Sequence, residues 1–330
     1  MATVAHAFSP KEFTCWIISD ATNAGTSGIH ASNMYQLDVD SVGYPTLNVA
    51  QVLDVRSGVG RTLKDEDFFQ DNVMRTVELS LAGTLHNDTG HKLLLQNICN
   101  DVSGDIAVAT GFTGTSQKYG AAVTNAASSL TVVIQPSDVS DQRGLEFTGM
   151  VVTNMTISAD AGTEGGRYKF SATLQTGVKP DLNSTAAAGS TAYANNTHAL
   201  LSNASGIKVM NSDVVLSSFT TTIDHPAVFT GVTSTGYEVV SRGAECAVTV
   251  DCQVKYDAET KTLVSGYDTQ TSHNGTNSFV ITNNDAFGVA IDNAVYTNVA
   301  YSEGDVMMLD ISMKSVDDGT DALITFDVTS

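Results

Sequence analysis

Seven histidines are the side chains best suited to acid–base or metal chemistry near neutral pH. Their spacing shows no HxH, HxxxH or HExxH pattern, which would place two metal ligands, or a base and its partner, on one face of an element. We therefore predict turn or surface histidines, with neither a zinc site nor a catalytic site. The seven are His6, His30, His86, His91, His198, His225 and His273.

Four carboxylates cluster in residues 64–71, which raises the question of a calcium site. An EF-hand loop alternates its oxygen ligands and places a glycine at its sharp turn. The cluster does neither, and Phe68 and Phe69 interrupt it, so it predicts a charged loop or the start of a helix. A phosphate site is not indicated either, because Gly58 and Gly60 lack the third glycine of GxGxxG. These residues predict no metal, no cofactor and no enzyme activity.

The charge of the chain limits what it can bind. The 330 residues contain 16 Lys and Arg against 36 Asp and Glu, for a formal net charge of −20. Residues 1–180 carry −7 (11 basic, 18 acidic) and residues 181–330 carry −13 (5 basic, 18 acidic). A protein that binds nucleic acid by neutralising phosphates needs a basic face, so the composition excludes that class.

The composition also predicts the fold class. Hydrophobic residues make up 42% of the chain, enough for a core, whereas only 16% of residues are charged. A surface rich in Ser, Thr, Asn and Gly is typical of an all-β protein with many turns. The length is that of two domains, and no run of about 18 apolar residues is present to cross a membrane.

The cysteines and the N-terminus indicate the compartment. Cys15, Cys99, Cys246 and Cys252 form no CxxC pattern, which predicts reduced thiols in the cytoplasm of a cell. Residues 1–16 lack a basic start followed by an apolar segment, so we expect no signal peptide.

An internal repeat is the most informative feature of the sequence, and its clearest part lies late in each half. Residues 151–158 and 295–302 share Val, Thr-Asn and Ser at the same places, 144 residues apart. A turn containing glycine follows each copy. Residues 167–174 and 307–314 come next, and in both the apolar residues alternate with others. A period of two predicts strands with one buried face.

A second pair of segments matches earlier in each half, in the same order. Residues 75–85 and 242–252 both begin with Arg, carry Glu three residues later and then alternate. A polar turn headed by Asp88 or Asp257 follows and leads into an apolar stretch, which predicts a hairpin. A short helix over residues 91–99 is the alternative.

Two matches in one order predict an all-β chain of two tandem β-sandwich domains related by duplication, with one or two short helices. We place the first domain at 1–178 and the second at 198–330. A linker at 179–197 joins them, because that stretch is rich in small residues and lacks apolar periodicity. The first domain would carry an N-terminal arm reaching to Tyr44 and a long loop at 100–130.

The late hairpin of the first half resembles the tail tube proteins (major tail proteins) of long-tailed, siphovirus-like bacteriophages. Those proteins tend to show a glycine before a strand of the form V-x-x-(M/L)-x-I/L-S, then a glycine-rich turn, a second strand and a closing glycine. In residues 147–177, Gly149 and Gly177 bracket such a hairpin. The copy at residues 293–316 keeps the strands and lacks the flanking glycines.

The resemblance implies a structural virion protein of the duplicated tube-domain type, and not an enzyme. Inner sheets would join side by side into homotrimeric rings with pseudo-sixfold symmetry, and the rings would stack into a hollow tail tube. Assembly would take place in the host cytoplasm, with other tail proteins at the tube ends. Genomic DNA would pass through an acidic lumen without specific binding during ejection. The loop at residues 104–129 and the N-terminal arm would contact the neighbouring ring.

Two other functions fit parts of the sequence. A secreted surface-layer or adhesin-type β-repeat protein would also be acidic and rich in Thr, Ser and Asn, but it would need a secretion signal. A carbohydrate-active β-sandwich enzyme would need paired carboxylates in an aromatic cleft, whereas Trp16 is the only tryptophan. The sequence leaves open the ring stoichiometry, the strands that face the lumen, the phage and host, and the distinction from a tail-completion or tail-tip protein.

Overall fold

Antiparallel strands dominate the chain. The computed structural model describes residues 10–20, 34–45, 50–53, 68–71, 77–99, 129–136, 144–184, 192, 199–230, 239–241, 246–268, 277–283, 287–316 and 323–327. The first half contains β1 (Phe13–Ser19), β2 (Tyr35–Leu37), β3 (Val39–Gly43), β4 (Ala50–Leu53), β5 (Phe68–Asp71), β6 (Val77–Thr84), α1 (Thr89–Cys99), β7 (Leu130–Pro136), β8 (Gly144–Asp160), β9 (Lys169–Thr176) and β10 (Asp181–Ser184). The second half contains β11 (Ala204–Val209), β12 (Ser212–Asp213), β13 (Leu216–Asp224), β14 (Val228–Thr230), β15 (Val239–Ser241), β16 (Ala247–Lys255), α2 (Lys261–Asp268), β17 (Phe279–Asn283), β18 (Gly288–Ile291), β19 (Ala294–Ser302), β20 (Met308–Ser315) and β21 (Thr325–Asp327). The predicted all-β class is confirmed.

One sheet runs through both halves and is called the shared sheet below. Its strand order is β3-β6-β9-β8-β13-β16-β20-β19, and every neighbouring pair is antiparallel. Each half adds a second group of strands, β2-β1-β7-β8-β10 in the first and β12-β11-β17-β18-β21 in the second. Two hairpins, β4-β5 and β14-β15, stand apart.

Strand β8 belongs to two groups because it bends at Gly149. Its first part pairs with β7 and β10, and its later part pairs with β9 and β13. Gly149 has φ +67°, a conformation that glycine adopts without steric cost, next to a register shift against β7. The glycine that the sequence resemblance singled out is therefore the point at which β8 passes from one group to the other.

The two halves pair their strands in the same pattern. Strand β6 lies between β3 and β9, as β16 lies between β13 and β20, and β7 lies between β1 and β8 as β17 lies between β11 and β18. The repeated Thr-Asn pair marks a register shift in both. It falls between Val152 and Asn154 against β9, and between Tyr296 and Asn298 against β20.

The core forms where the alternating strands turn their apolar faces inward. The residues predicted to share one face of β9 and β20 are buried, with the exception of Met307, whose side chain is 44% exposed. The Tyr168 ring packs edge-on against Phe219 at 5.4 Å and against Phe287 at 5.5 Å. Aromatic contacts thus join the first half to the second. The buried members of these faces are Tyr168, Phe170, Ala172, Leu174, Leu309, Ile311 and Met313.

Helices α1 and α2 replace the hairpins predicted after Asp88 and Asp257. The Asp88 Oδ1 accepts a hydrogen bond from the His91 backbone N–H at 2.9 Å, and the Asp257 Oδ1 accepts one from the Thr260 N–H at 3.0 Å. The Asp88 carboxylate therefore caps the N-terminus of α1, and the Asp257 carboxylate fixes the turn that leads into α2. The hairpin interpretation is wrong because an apolar stretch after a capping Asp fits a helix equally well. The alternative of a short helix over residues 91–99 agrees with α1.

The sequence match of residues 75–85 with residues 242–252 is displaced by four residues from the correspondence that the strand pairing gives. Leu81 lies opposite Ala172, and Cys252 lies opposite Ile311, which occupies the place of Ala172 in the second half. Leu81 therefore corresponds to Cys252, whereas the sequence match placed it with Val248. Strands with a period of two align almost as well at any even displacement, so the Arg–Glu detail misled the alignment.

Several predicted segments differ from the structure or lie outside the described residues. The predicted N-terminal arm instead contributes β1, β2 and β3 to the sheets, and β10 lies within the predicted linker 179–197. Most of the long loop 100–130 lies outside the described residues, as do residues 64–67. Residues 68–71 of the carboxylate cluster form β5, so the prediction of a charged loop or a helix start is wrong for them, because the two phenylalanines favour a strand paired with β4. In the part of the chain that the structure describes, neither helix is long and apolar enough to span a membrane.

Candidate assembly surface

Three histidines are buried, contrary to the prediction of turn or surface positions. The His86 Nε2 lies 2.7 Å from the Asp38 Oδ2, the His91 Nδ1 lies 2.8 Å from the Asp88 Oδ1, and the two imidazole rings are 5.5 Å apart. His225 donates from Nδ1 to the Ile98 carbonyl at 2.7 Å. The His86 contact joins the segment before α1 to the link between β2 and β3, and the His225 contact joins the end of α1 to the residue after β13. His6, His30, His198 and His273 lie outside the described residues.

The histidine pair does not make a metal site. Within the described ranges, no group of three or more His, Cys, Asp and Glu side chains is placed to hold an ion. The spacing of Asp88 and His91 was the available signal for the buried pair, because an N-cap carboxylate brings the residue three places later back toward it.

Asp20 is a buried carboxylate with a structural role. It accepts hydrogen bonds from the Ser129 hydroxyl at 2.7 Å, the Thr131 hydroxyl at 2.5 Å and the Gly149 N–H at 3.2 Å. Burial raises the pKa of Asp20, and the three hydrogen bonds offset part of that rise. The carboxylate ties the end of β1 to the start of β7 and to the bend of β8. Its hydrogen-bond partners among the described residues are two hydroxyls and one backbone N–H, which is the environment of a carboxylate that joins strands.

No disulfide joins the four cysteines, all of which lie among the described residues, and Cys15 and Cys252 are buried. Burial raises the pKa of the Cys15 thiol to about 12, and burial together with Asp251 and Asp310 does the same for Cys252. Neither thiol forms the thiolate that nucleophilic chemistry needs at neutral pH.

A groove of about 360 Å³ lies over the contact between β8 and β13. Arg167, Lys169 and Asp160 line it, and Asp160 already accepts hydrogen bonds from the Gly162 N–H at 2.8 Å and the Thr163 hydroxyl at 3.3 Å. The groove therefore offers no free carboxylate pair for acid–base catalysis.

In the part of the chain that the structure describes, the two borders of the shared sheet are open hydrogen-bonding edges. There β3 pairs only with β6, and β19 pairs only with β20. An unpaired strand edge presents rows of backbone N–H and C=O groups to which another chain can add a strand. Both borders also expose a large side chain, Tyr44 (46%) just after β3 and Tyr301 (51%) in β19. The Tyr301 ring packs edge-on against Tyr256 at 5.5 Å.

The face of the shared sheet that points away from the core is lined mainly by hydroxyl and amide groups. Thr156 and Thr222 lie side by side on β8 and β13, with their hydroxyls 3.4 Å apart. On β16, Gln253 donates to the Asp310 Oδ1 at 2.8 Å. The further uncharged members include Ser80, Asn154, Ser158, Ser171, Thr173, Gln175, Thr220, Thr249, Ser302 and Ser312.

This polar face carries a small excess of negative charge. Its strand residues include five carboxylates and three ammonium groups, so only a small part of the net charge of −20 lies there. The charged members are Glu78, Asp160, Asp224, Asp251, Asp310, Lys169, Lys255 and Lys314. The arrangement as a whole suits self-association through the borders and weak, nonspecific contact across the polar face. Sequence reasoning missed β3 because its five residues lie in the predicted arm.

Comparison with known proteins identifies a family. A family model described as "Phage tail tube protein" matches residues 100–327, which is more than half of the chain. The match covers β7 to β21, including the late hairpins of both halves. No curated protein matches the chain.

Proposed function

The chain belongs to the phage tail tube protein family, and on this premise we propose that copies of it close into rings that stack to form the hollow tail tube of a bacteriophage. The family is a structural one and places the protein in the virion tail. The predicted resemblance is thereby confirmed, and the ring, its stoichiometry and its contact with DNA are the subject of the proposal.

The observation that carries the proposal is a sheet that crosses both halves and ends in an open edge on each side. A sheet with two free borders is an aggregation hazard in a monomer. If the border β19 of one chain joins the border β3 of another, a head-to-tail interface repeats and closes into a ring at a fixed rotation. Closure satisfies the backbone groups of both borders.

The repeated strand pattern supports a ring of three chains. We propose that the halves are duplicated domains, at residues 1–178 and 198–330 as the sequence predicted, with β10 as an addition to the first. Each chain then contributes two similar segments to the ring. Three chains give six segments, which is the pseudo-sixfold arrangement implied by the resemblance.

The polar face of the shared sheet is the surface that we assign to the lumen. Its hydroxyls and amides are neutral and its carboxylates outnumber its ammonium groups only slightly, so it offers DNA phosphates no cluster of cations to bind. The assigned surface is therefore less acidic than the lumen expected from the sequence, and it would conduct DNA chiefly because it lacks attractive charge. Carboxylates elsewhere on the chain would also repel the DNA phosphates, but only over short distances because salt screens the interaction.

The segment at residues 104–129 is the candidate for contact between stacked rings, a prediction that comes from its sequence. Deleting residues 108–126 is expected to leave trimeric rings and to abolish long tubes. Negative-stain electron microscopy of the deletion variant tests this, and tubes of normal length would refute the assignment.

Electron microscopy of the purified full chain tests the proposed function itself. Rings or tubes with a central hole are expected. Particles that remain single chains at all concentrations would overturn the proposal. The alternatives remain testable in the same preparation, because a carbohydrate-active enzyme would show activity on a panel of polysaccharides that is lost when one carboxylate is changed.

A further inference from the structure

The contact between the two halves offers a template for the contact between chains. Strands β8 and β13 pair across the halves in a continuous register, in which Ile157 lies opposite Thr221 and Ala159 lies opposite Phe219. Ile157 and Thr221 are each only 1% exposed. The internal contact is thus an edge-to-edge junction between one half and the next whose core-facing side chains are covered.

The open border β19 occupies the place of late β8. Both strands carry a register shift at their Thr-Asn pair, between Val152 and Asn154 in β8 and between Tyr296 and Asn298 in β19. Counting from this shared irregularity, each residue of late β8 corresponds to the residue 144 places later. Tyr301 therefore corresponds to Ile157.

The open border β3 occupies the place of β13. A register shift separates Val39 from Ser41 against β6, and a matching shift separates Leu216 from Ser218 against β16. From these shifts, each residue of β3 corresponds to the residue 177 places later. Val42 therefore corresponds to Phe219, and Tyr44 to Thr221.

Exposure at these corresponding positions shows what the open borders lack. Tyr301 is 51% exposed and Tyr44 is 46% exposed, whereas their counterparts at the internal junction are buried. Two tyrosines at solvent-facing borders are suited to an interface, because a tyrosine supplies a large apolar area and a polar tip.

We propose that β19 of one subunit pairs antiparallel with β3 of a second copy in the register of the internal β8–β13 junction. In that register Tyr301 lies opposite the partner subunit's Tyr44, Ser302 opposite the partner subunit's Gly43, and Glu303 opposite the partner subunit's Val42. The inference rests on the proposed ring and goes beyond it by fixing the strands and the residue pairs. Junctions within and between chains then follow one geometry.

Cysteine cross-linking of the assembled full chain tests the register. The first variant combines Val42→Cys with Glu303→Cys, which the proposal places opposite each other at a separation that a disulfide spans. Mild oxidation is expected to convert most of this variant into covalent multimers on a non-reducing gel. The parent protein, with its four native cysteines, shows the background.

A matched control combines Val42→Cys with Ser302→Cys. Successive side chains of a strand point to opposite faces, so this pair cross-links only if the register is displaced by one residue. A third variant, Tyr44→Cys with Tyr301→Cys, tests the same register as the first pair at an adjacent position.

The outcomes separate the register from the ring. Cross-linking of the first and third variants without the control supports the proposal. Rings seen by electron microscopy, with cross-linking in the control alone or in none of the variants, overturn the register and leave the proposed function standing. A parent protein that forms no rings or tubes overturns the proposed function and the register together.

Discussion

Late β8 and β19 occupy the same place in the two halves of the chain, but one is covered and the other is open. β8 has β13 beside it, and its residues Val151, Val152, Met155 and Ile157 are buried. The corresponding stretch of β19 is mostly half-buried or exposed, and Tyr301 stands at the place of Ile157. The difference lies in the neighbour and not in the backbone, because the pairing with the inner strand is the same in both halves.

Among the described residues, the second half thus lacks at β19 the neighbouring strand that completes the burial of late β8 in the first half. The same holds for β3 when it is compared with β13, whose apolar residues Leu216, Phe219 and Ile223 are buried. The internal junction is therefore the part of the molecule that is complete in one chain. The two borders are the parts that, under the proposed function, a second copy would complete.

The largest expected effect is loss of stability at the covered position. Ile157→Ala leaves a cavity in a fully buried site, so we expect the free energy of unfolding to fall by about 2–5 kcal/mol. Tyr301→Ala at the open counterpart is expected to cost about 1 kcal/mol or less, because half of its side chain is exposed. Urea unfolding of single chains in dilute solution measures both changes. Equal losses would show that the two positions do not differ as described.

A charge placed on the open border tests its role in assembly. Tyr301→Lys puts an ammonium group where a partner strand would cover it, and edge lysines prevent strand addition. We expect association to weaken about a hundredfold, which corresponds to about 2.7 kcal/mol. Light scattering over a concentration series measures the change. The control is Leu182→Lys in β10, a similarly exposed position (48%) outside the shared sheet, and an equal effect of both variants would contradict the assignment.

The other border depends on a glycine that holds β3 close to β6. A Cβ at Gly83 would meet the Asp38 carbonyl group and would lie 2.9 Å from the Val39 Cα. Gly83→Ala is therefore expected to displace β3, with a loss of about 1–2 kcal/mol in unfolding free energy and weaker assembly. Gly206→Ala in β11 is the control, since its Cβ meets only the Thr282 Oγ1 at 3.9 Å. Normal stability and assembly of Gly83→Ala would refute the close approach.

The smallest expected effect concerns pH, and it has opposite signs in the two halves. The pKa of Asp20 is raised by burial, so its contribution to stability is present below its unfolded pKa of about 4 and is lost as pH rises through the folded value. The pKa of Asp257 is lowered by the hydrogen bonds from Thr260, so its contribution is present above that pH and is lost as pH falls.

Two isosteric variants measure these contributions. We expect Asp20→Asn to reduce the fall in unfolding midpoint above about pH 4, and Asp257→Asn to reduce the fall below it. Denaturant midpoints recorded between about pH 3 and pH 6 show both slopes. Each variant's slope of midpoint against pH is compared with that of the parent protein. Changes in slope of the same sign in both variants would disagree with the described environments.

The sequence alone predicted the late strands of each half because their alternation is long and their Thr-Asn pair is a distinct landmark. That landmark coincides with the register shifts in β8 and β19. The sequence alone could not predict β1, because this strand has only seven residues and its partner β7 lies more than a hundred positions away, which leaves no local signal. It also could not distinguish a helix from a returning strand after Asp88.

The candidate surface was predictable in kind but not in place. A duplicated sheet module implied open borders, whereas the identity of those borders depends on which strands lie outermost. Strand β3 is outermost only because β6 takes β9 on its other side, a long-range pairing that periodicity does not encode. The exposed Tyr44 and Tyr301 became meaningful only when their buried counterparts were known.

A density map of the assembled protein by cryo-electron microscopy would show the junction between subunits. We expect a closed ring with a hollow centre, in which β19 of each subunit runs antiparallel beside β3 of the next and the shared sheets form one continuous wall. A ring closed through any other pair of elements would contradict this expectation, as would subunits whose two borders remain without a neighbouring strand.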